Sequence, residues 1–380
     1  MKKLALWWWL IGLFILIDCL VVFIILNTRE KNKNPVRKLG ASKSTTINPI
    51  SSPLASVEIK PRISWTLLLT GDVIPARVVN QKMVAKNDFM WPLASISGIL
   101  KDADLTVINL ESPLLDVCPM TNEGFKFCGD SRFAQSLAKA GVDVASLANN
   151  HSLNYGWEAV AETERHLQDA GIEATGFMGK TSVFPSVAPL TQNEIIAQNC
   201  VKNSYCSRLV IKQVKSIKVG FLGYNAVGQL VNRKLCEQEI KIARKVVDVL
   251  VISVHWGKEY VRAPTAEGII GDDPKELGHL FIDWGADLVH GNHPHVIQGV
   301  EYYKGKPIFY ALGNTVFDQE WSPETKRGIL IKLHLDNTDI VPDQTEIIPI
   351  GLKDYGQAYL LEDQEKAQII HDFNTSRVWL

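Results

Sequence analysis

The chain has 380 residues, of which 46% are hydrophobic, enough for a sizeable core in one large domain or two ordinary ones. A formal net charge of -1 gives no electrostatic case for nucleic acid, which calls for a basic face. No glycine-rich phosphate loop ending in Lys and Ser or Thr is present, and no G-x-S-x-G, so a P-loop and a serine-hydrolase elbow are both excluded.

The first predicted element is the apolar run LALWWWLIGLFILIDCLVVFIIL, residues 4–26, with Asp18 as its only charge. A bilayer core takes about 20 apolar residues in a helix, and Trp7, Trp8 and Trp9 suit a headgroup belt. No small-residue cleavage site follows, so the run reads as an uncleaved, single-pass membrane anchor. Lys2 and Lys3 precede it, whereas Arg29, Lys31, Lys33, Arg37 and Lys38 follow it. Read literally, that bias would put the large domain in the cytoplasm. The cysteines argue the other way. Cys118 with Cys128, and Cys200 with Cys206, are short-range pairs in loop-like sequence that read as disulfides of an oxidising space, with Cys236 left over. We expect the main domain on the extracytoplasmic face.

Residues 27–60 are polar and without period, and read as a flexible stalk. The main domain is expected over residues 61–350, followed by a C-terminal tail, 351–380. From Trp65 onward short apolar runs alternate with helical stretches. WTLLLT, DLTVINL, DVASLAN, KVGFLGY, DVLVISVH and ADLVHG predict strands; SRFAQSLAKAG, GWEAVAETERHLQDAG and DPKELGHLFIDWG predict helices ending near glycine. That alternation predicts an α/β fold with a largely parallel inner sheet, its strands buried on both faces. Residues 180–216 read as an insertion with its own hairpin, and 307–350 as β-rich again.

In an open α/β sheet ligands bind beyond the carboxyl ends of the strands. Five of the runs end in polar groups: Asp72 after Gly71, then Asn109 and Glu111, then Asn149, Asn150 and His151, then His255, and last His290, Asn292, His293 and His295. Asp, Glu, Asn and His together suit a hard or borderline divalent ion such as Mn, Fe or Zn. A carboxylate bridging two ions would make a hydrolytic site, lowering the pKa of a water and clamping a leaving oxygen. The set lacks thiolates, which argues against a structural zinc site. Each residue alone has a plainer reading: Asp72 as a turn or cap residue, Asn149 and Asn150 as an Asx-turn or N-cap. It is the combination that points to a metal. His166, His279, His334 and His371 have no partners nearby in sequence and are set aside. Trp256, Tyr260, Trp284 and Tyr310 read mainly as core.

TGDVIPARVV, INLESPL, ANNHSLNYG, SVHWGKEY and GADLVHGNHPHVIQGVEYYKGKPIFYALGNTVFDQ follow one another in that order. As an ordered set, over roughly residues 65–335, they resemble the CapA family of bacterial poly-γ-glutamate capsule synthesis proteins, in the calcineurin-like metallophosphoesterase superfamily. The resemblance implies a four-layer αββα sandwich behind an N-terminal transmembrane helix, with one or two metal ions at the strand ends. It implies Asp72, Glu111, Asn150, His255, His293 and His295 as ligands, Glu111 as the bridge, and His151 as the catalytic acid. It gives His290 no such role. The usual phosphoesterase pattern has a histidine two residues after the first aspartate; here that place is Ile74, and Glu111 stands for the usual aspartate. Two functions remain open on this reading. One is a metal-dependent hydrolase acting on an anionic cell-surface polymer or its intermediates. The other is a non-catalytic scaffold or polymer-binding subunit beside polymer synthase and export subunits.

Overall fold

The computed structural model describes residues 62–177 and 207–376, together with the backbone of the short strand Val378–Trp379. The predicted anchor, the stalk and the Cys200–Cys206 pair lie outside the described residues. Among those described, no helix is long and apolar enough to cross a membrane.

The fold is mixed α/β, built on two large sheets. One runs, edge to edge, through Gln357–Leu360, Glu346–Lys353, Arg327–Asp336, Ser64–Val73, Leu105–Leu110, Val144–Ser146, Glu173–Phe177 and Ser207–Arg208. The other runs through Val378–Trp379, Val300–Tyr303, Lys306–Phe309, Leu288–Asn292, Val249–His255, Ile217–Asn225 and Val210–Val214. Each sheet has a parallel heart: Ser64–Val73 pairs in parallel with Leu105–Leu110, and Val249–His255 lies parallel between Ile217–Asn225 and Leu288–Asn292.

Alternation along the strands builds the layers, because successive side chains point to opposite faces. Trp65, Leu67 and Leu69 face a core shared with Phe221, Val251 and Leu288 of the other sheet, whereas Leu68 faces the helices on the outer side. In the second sheet Val249 and Val251 enter the shared core, and Leu250, Ile252 and Val254 pack outward with Leu277 and Phe281 of the helix Pro274–Trp284. The order is therefore helix, sheet, sheet, helix. Both faces of each central strand are buried, which explains why these segments are apolar almost without a break.

The six predicted strands and three predicted helices form, within a few residues of their expected limits. Further helices, Val78–Lys86, Ser97–Lys101, Arg233–Ala243 and Asp363–Thr375, add to them. The residues after 350, set apart in sequence as a tail, complete the first sheet and send Ile369 and Phe373 into the core between the sheets. Cys118 and Cys128 form a disulfide, and Cys236 is buried and free.

Candidate metal centre

The two sheets present the carboxyl ends of their parallel strands to one place. Asp72 is the penultimate residue of Ser64–Val73, Glu111 follows Leu105–Leu110, and Asn149 to His151 lie just beyond Val144–Ser146. From the second sheet come His255, the last residue of its strand, and His293 and His295 just after Leu288–Asn292. The packing that brings them together is close. A Cβ on Gly71 would sit 1.9 Å from the carbonyl oxygen of Gly313, so only glycine lets the Asp72 N–H reach that oxygen at 2.9 Å. His293 and His295 have φ of 101° and 56°. Left-handed backbone at two non-glycine residues costs energy and persists where the surroundings over-determine it, a condition common at functional sites.

Asp72, Glu111, His255, His293 and His295 are all buried to within a few per cent. The Asn109 amide donates to Asp72 Oδ1 at 2.8 Å, and Nδ1 of His295 lies 3.2 Å from Asp72 Oδ2. Nδ1 of His293 and Nε2 of His255 are 3.1 Å apart. Glu111 has no exposure, and its Oε1 is 3.1 Å from Nε2 of His255 and 4.0 Å from Nε2 of His151. Neither of its carboxylate oxygens accepts a well-formed hydrogen bond, and Oδ1 of Asn150 is likewise buried without a partner.

The electrostatics without a cation are unbalanced. Burial, reinforced by the Asp72 charge, pushes Glu111 well above the usual carboxylate range. Burial holds His255 down at about 3 and His151 at about 4, and drives His293 well below its ordinary value. Burial also opposes charge on His295, but the carboxylates of Glu111 and Asp72 prevail and push it up to about 9. Burial works equally against the Asp72 charge, yet His295 holds that carboxyl below its ordinary value.

Buried carboxylates almost always find partners, and an unpaired one is costly. A divalent cation would supply the missing partner, and the residues fit one. Two sets of three offer ligand atoms within 4.8 Å of one another: Asp72, Glu111 and His255, and Glu111, His293 and His295. Glu111 belongs to both. Oxygen and imidazole donors without thiolate match Mn, Fe or Zn.

The structure brings Asp72, Glu111, His151, His255, His293 and His295 into one neighbourhood, and Asn150 stands next to His151 in the chain with its Oδ1 buried. Ile74 instead packs into the helix-side core. His290 is structural: its Nε2 lies 2.7 Å from the Thr70 carbonyl oxygen and its Nδ1 3.3 Å from Ser253 Oγ. His166, His279 and His334 meet the carboxylates of Asp116, Glu301 and Glu346 away from the centre. Trp256 and Tyr310 are core, but Tyr260 is 40% exposed at the rim, its ring 6.1 Å from that of His295. Sequence reasoning missed three supporting residues. Asn314 meets Nδ1 of His295 through Oδ1 at 3.0 Å, Asn154 meets Nδ1 of His151 at 3.0 Å, and Phe127 stacks on the His151 ring at 4.0 Å. None stands at the carboxyl end of a strand, the one signal that picked out the others.

Comparison with known proteins adds the following. Residues 66–319 match the family model described as bacterial capsule synthesis protein PGA_cap. The capsule biosynthesis protein CapA of Bacillus anthracis is 26% identical over 323 residues, covering 79% of this chain and 71% of that protein. The PGA biosynthesis protein CapA of Bacillus subtilis is 25% identical over 324 residues, covering 79% and 75%. A solved phosphatase from Mycoplasma pneumoniae aligns over 81% of this chain and 98% of that one, at 12% identity and a TM-score of 0.48; no conclusion follows from a likeness of that size.

Proposed function

The chain belongs to the bacterial capsule synthesis protein family PGA_cap, and on that premise we propose that its buried centre is a metal-dependent hydrolase site acting on an anionic cell-surface polymer or its intermediates. The observation that carries the reading is Glu111: a fully buried carboxyl with no well-formed hydrogen bond at either oxygen, shared by two ligand sets. Asp72, Glu111 and His255 would hold one ion and Glu111, His293 and His295 a second, with Asn150 contributing its unpartnered Oδ1. Such ions would polarise a phosphoryl or acyl centre and lower the pKa of a water. This chain's own residues do the rest. His151, with Nε2 4.0 Å from Glu111 Oε1, stands where a proton can pass to a leaving group. The fold class proposed is the metallophosphoesterase-like αββα sandwich.

We further propose that residues 4–26 anchor the chain in the cell membrane as a single span, with the main domain extracytoplasmic. The length and apolarity of that run support the anchor. The Cys118–Cys128 disulfide supports an oxidising compartment. Polymer synthase or export subunits are the partners such a place suggests.

A second reading, a non-catalytic scaffold or polymer-binding subunit, draws on Ile74, which gives the centre no ligand. One experiment separates the two. Metal content is measured on the full chain and on the His293→Ala, His295→Ala double variant, and phosphoester and peptide hydrolysis on the full chain and on His151→Ala. The hydrolase reading expects about two equivalents of metal, most of it lost in the double variant. It also expects turnover to fall by about 100-fold in His151→Ala with metal content kept. Bound metal with no turnover of any ester or peptide would leave the scaffold. No bound metal in folded, resupplied protein would remove the centre itself.

A further inference from the structure

The two segments that bring histidines from the second sheet continue past the centre and are stitched to each other. One runs on from His255 to Ala263, the other from His293 to Gly299. The Tyr260 N–H donates to the Pro294 carbonyl at 2.8 Å, and Nε2 of Gln298 donates to the carbonyls of Val261 and Ala263 at 2.7 and 3.4 Å. Arg262 and Gln298 then line a cavity of about 570 Å³ whose far wall is the last helix, Asp363–Thr375. Cavities of this size take small ligands or a short piece of a longer one. Gln298 follows His295 by three residues, a reach of at most about 11 Å, so one substrate chain can occupy both places.

Gln298 is 3% exposed, and the orientation of its amide is fixed. Carbonyl oxygens only accept, so the atom facing Val261 and Ala263 must be the nitrogen. That leaves Oε1 buried with no donor among the described residues. A buried acceptor is costly until something donates to it. Arg262 stands on the same wall with its side chain 67% exposed; the nearest acid, Glu324, is 3.8 Å away, beyond hydrogen-bond reach. The acids of the cavity have other partners: Glu365 meets Arg327 at 2.7 Å, Asp372 accepts from Gln368 at 2.7 Å, and Glu324 accepts from the Ser322 hydroxyl at 2.5 Å. The cavity therefore offers one acceptor that needs an N–H and one cation that needs an acid. Its apolar lining includes Ile297, Ile369 and Phe373; the phenyl ring is 3% exposed and gives a sugar no face to stack on.

We infer that this cavity is a subsite for a carboxylate-bearing, amide-linked segment of the substrate, in which Arg262 takes a carboxylate and Gln298 Oε1 accepts an amide N–H. The inference names the class of polymer and rests on the reading above that the centre acts on an anionic one. Charge assistance makes the Arg262 contact the stronger of the two. The Gln298 contact supplies the selectivity, because a site built to accept an N–H is left with a buried, unpaired oxygen by any ligand that lacks one. A polymer of sugar acids would satisfy Arg262, but its repeats carry no amide N–H. Reaching Oε1 takes a side-chain rotamer change at the cavity wall, of the kind common on binding.

The test is equilibrium binding by calorimetry on the full chain, stripped of metal so that carboxylates find no ion to bind. The probes are six-residue glutamate oligomers, α- and γ-linked, their backbone N-methylated counterparts, and a six-residue galacturonate oligomer. The expected result is binding of at least one glutamate oligomer, weakened about 10-fold or more in Arg262→Ala and by N-methylation of the probe. In Gln298→Met the plain and N-methylated probes should bind alike. Absence of binding by both glutamate oligomers, an affinity unchanged in Arg262→Ala, N-methylated probes as tight as plain ones on the parent, or galacturonate bound as tightly as glutamate would each overturn the inference. Should Gln298→Met not fold, the plain and N-methylated probes on the parent still decide. Binding is read without turnover, so loss of the hydrolase reading leaves these results standing, and hydrolysis without binding here strikes the subsite alone.

Discussion

Glu111 and Glu239 are both fully buried acids, and the difference between them is instructive. Glu111 stands among imidazoles and a second carboxylate at strand ends, where a cation can reach it. Glu239 lies inside a helix, accepting the Ser207 N–H at 3.1 Å beside the Tyr224 hydroxyl and the Cys236 thiol, with no cationic side chain bonded to it among the described residues. Burial pushes Glu239 up from 4.5 to about 8, and the nearby Tyr224 hydroxyl and the Ser207 N–H only partly offset it. The folded state therefore holds this proton more tightly than the unfolded state. Its contribution to stability is full below pH 4.5 and is lost as pH rises through 8. We predict that Glu239→Gln, which stays neutral, flattens this decline and melts above the parent at pH 8.5 by a margin worth about 1–3 kcal/mol. Melting curves from pH 5 to 9 check it, and parallel curves for the two proteins would refute it. At this scale the chain advertised its ligand candidates plainly, since acids, amides and imidazoles at strand ends are few. It did not advertise Asn154 or Asn314 as partners, because an amide's role depends on which neighbour it meets.

Among the elements, the disulfide loop between Cys118 and Cys128 does more than brace a surface. It holds Phe127 over His151 while leaving Val117, Met120 and Phe125 exposed, so its own packing contributes little hold. Closing a loop of this size removes unfolded-state freedom worth about 3 kcal/mol. We predict that the Cys118→Ser, Cys128→Ser variant melts several degrees lower than the parent, and that reductant lowers the parent's melting temperature toward the variant's. Equal melting temperatures for oxidised and reduced protein would contradict this. The pairing was legible from spacing alone. The helix Arg233–Ala243 was not, although Asn232 caps it by accepting the Leu235 N–H at 3.1 Å. Its buried stripe of Leu235, Cys236, Glu239, Ile240 and Ala243 is broken by a glutamate, which masks the apolar period. The helix Pro274–Trp284 was easier to read. Asp273 caps it through the N–H groups of Lys275 and Glu276, and proline takes its first position, both strong local signals.

At the scale of the molecule, the last helix decides where the domain ends. Asp363–Thr375 contributes Ile369 and Phe373, 7% and 3% exposed, to the core between the sheets. Burying two such side chains stabilises by about 3–6 kcal/mol before entropy is counted. We predict that a chain stopped after Leu361 loses cooperative unfolding or a large share of its denaturation midpoint, whereas one ending at residue 376 keeps both; urea titration checks it, and an unchanged midpoint for the shorter chain would return these residues to the status of a tail. The mixed α/β fold was legible because strands buried on both faces and strands followed by helices are local patterns repeated along the chain. So was the set of chemical groups at the strand ends. The sequence by itself determined which residues could bind a metal, since residue type and position at the end of an apolar run are properties of single segments. Only the tertiary structure decided that Glu111 forms one ligand set with Asp72 and His255 and another with His293 and His295. It alone aimed Asn154 at one nitrogen of His151 and turned Ile74 into the core. The physical reason is that these contacts join segments far apart in the chain, and their distances are set by how two twisted sheets pack against each other, which no stretch of either sheet contains.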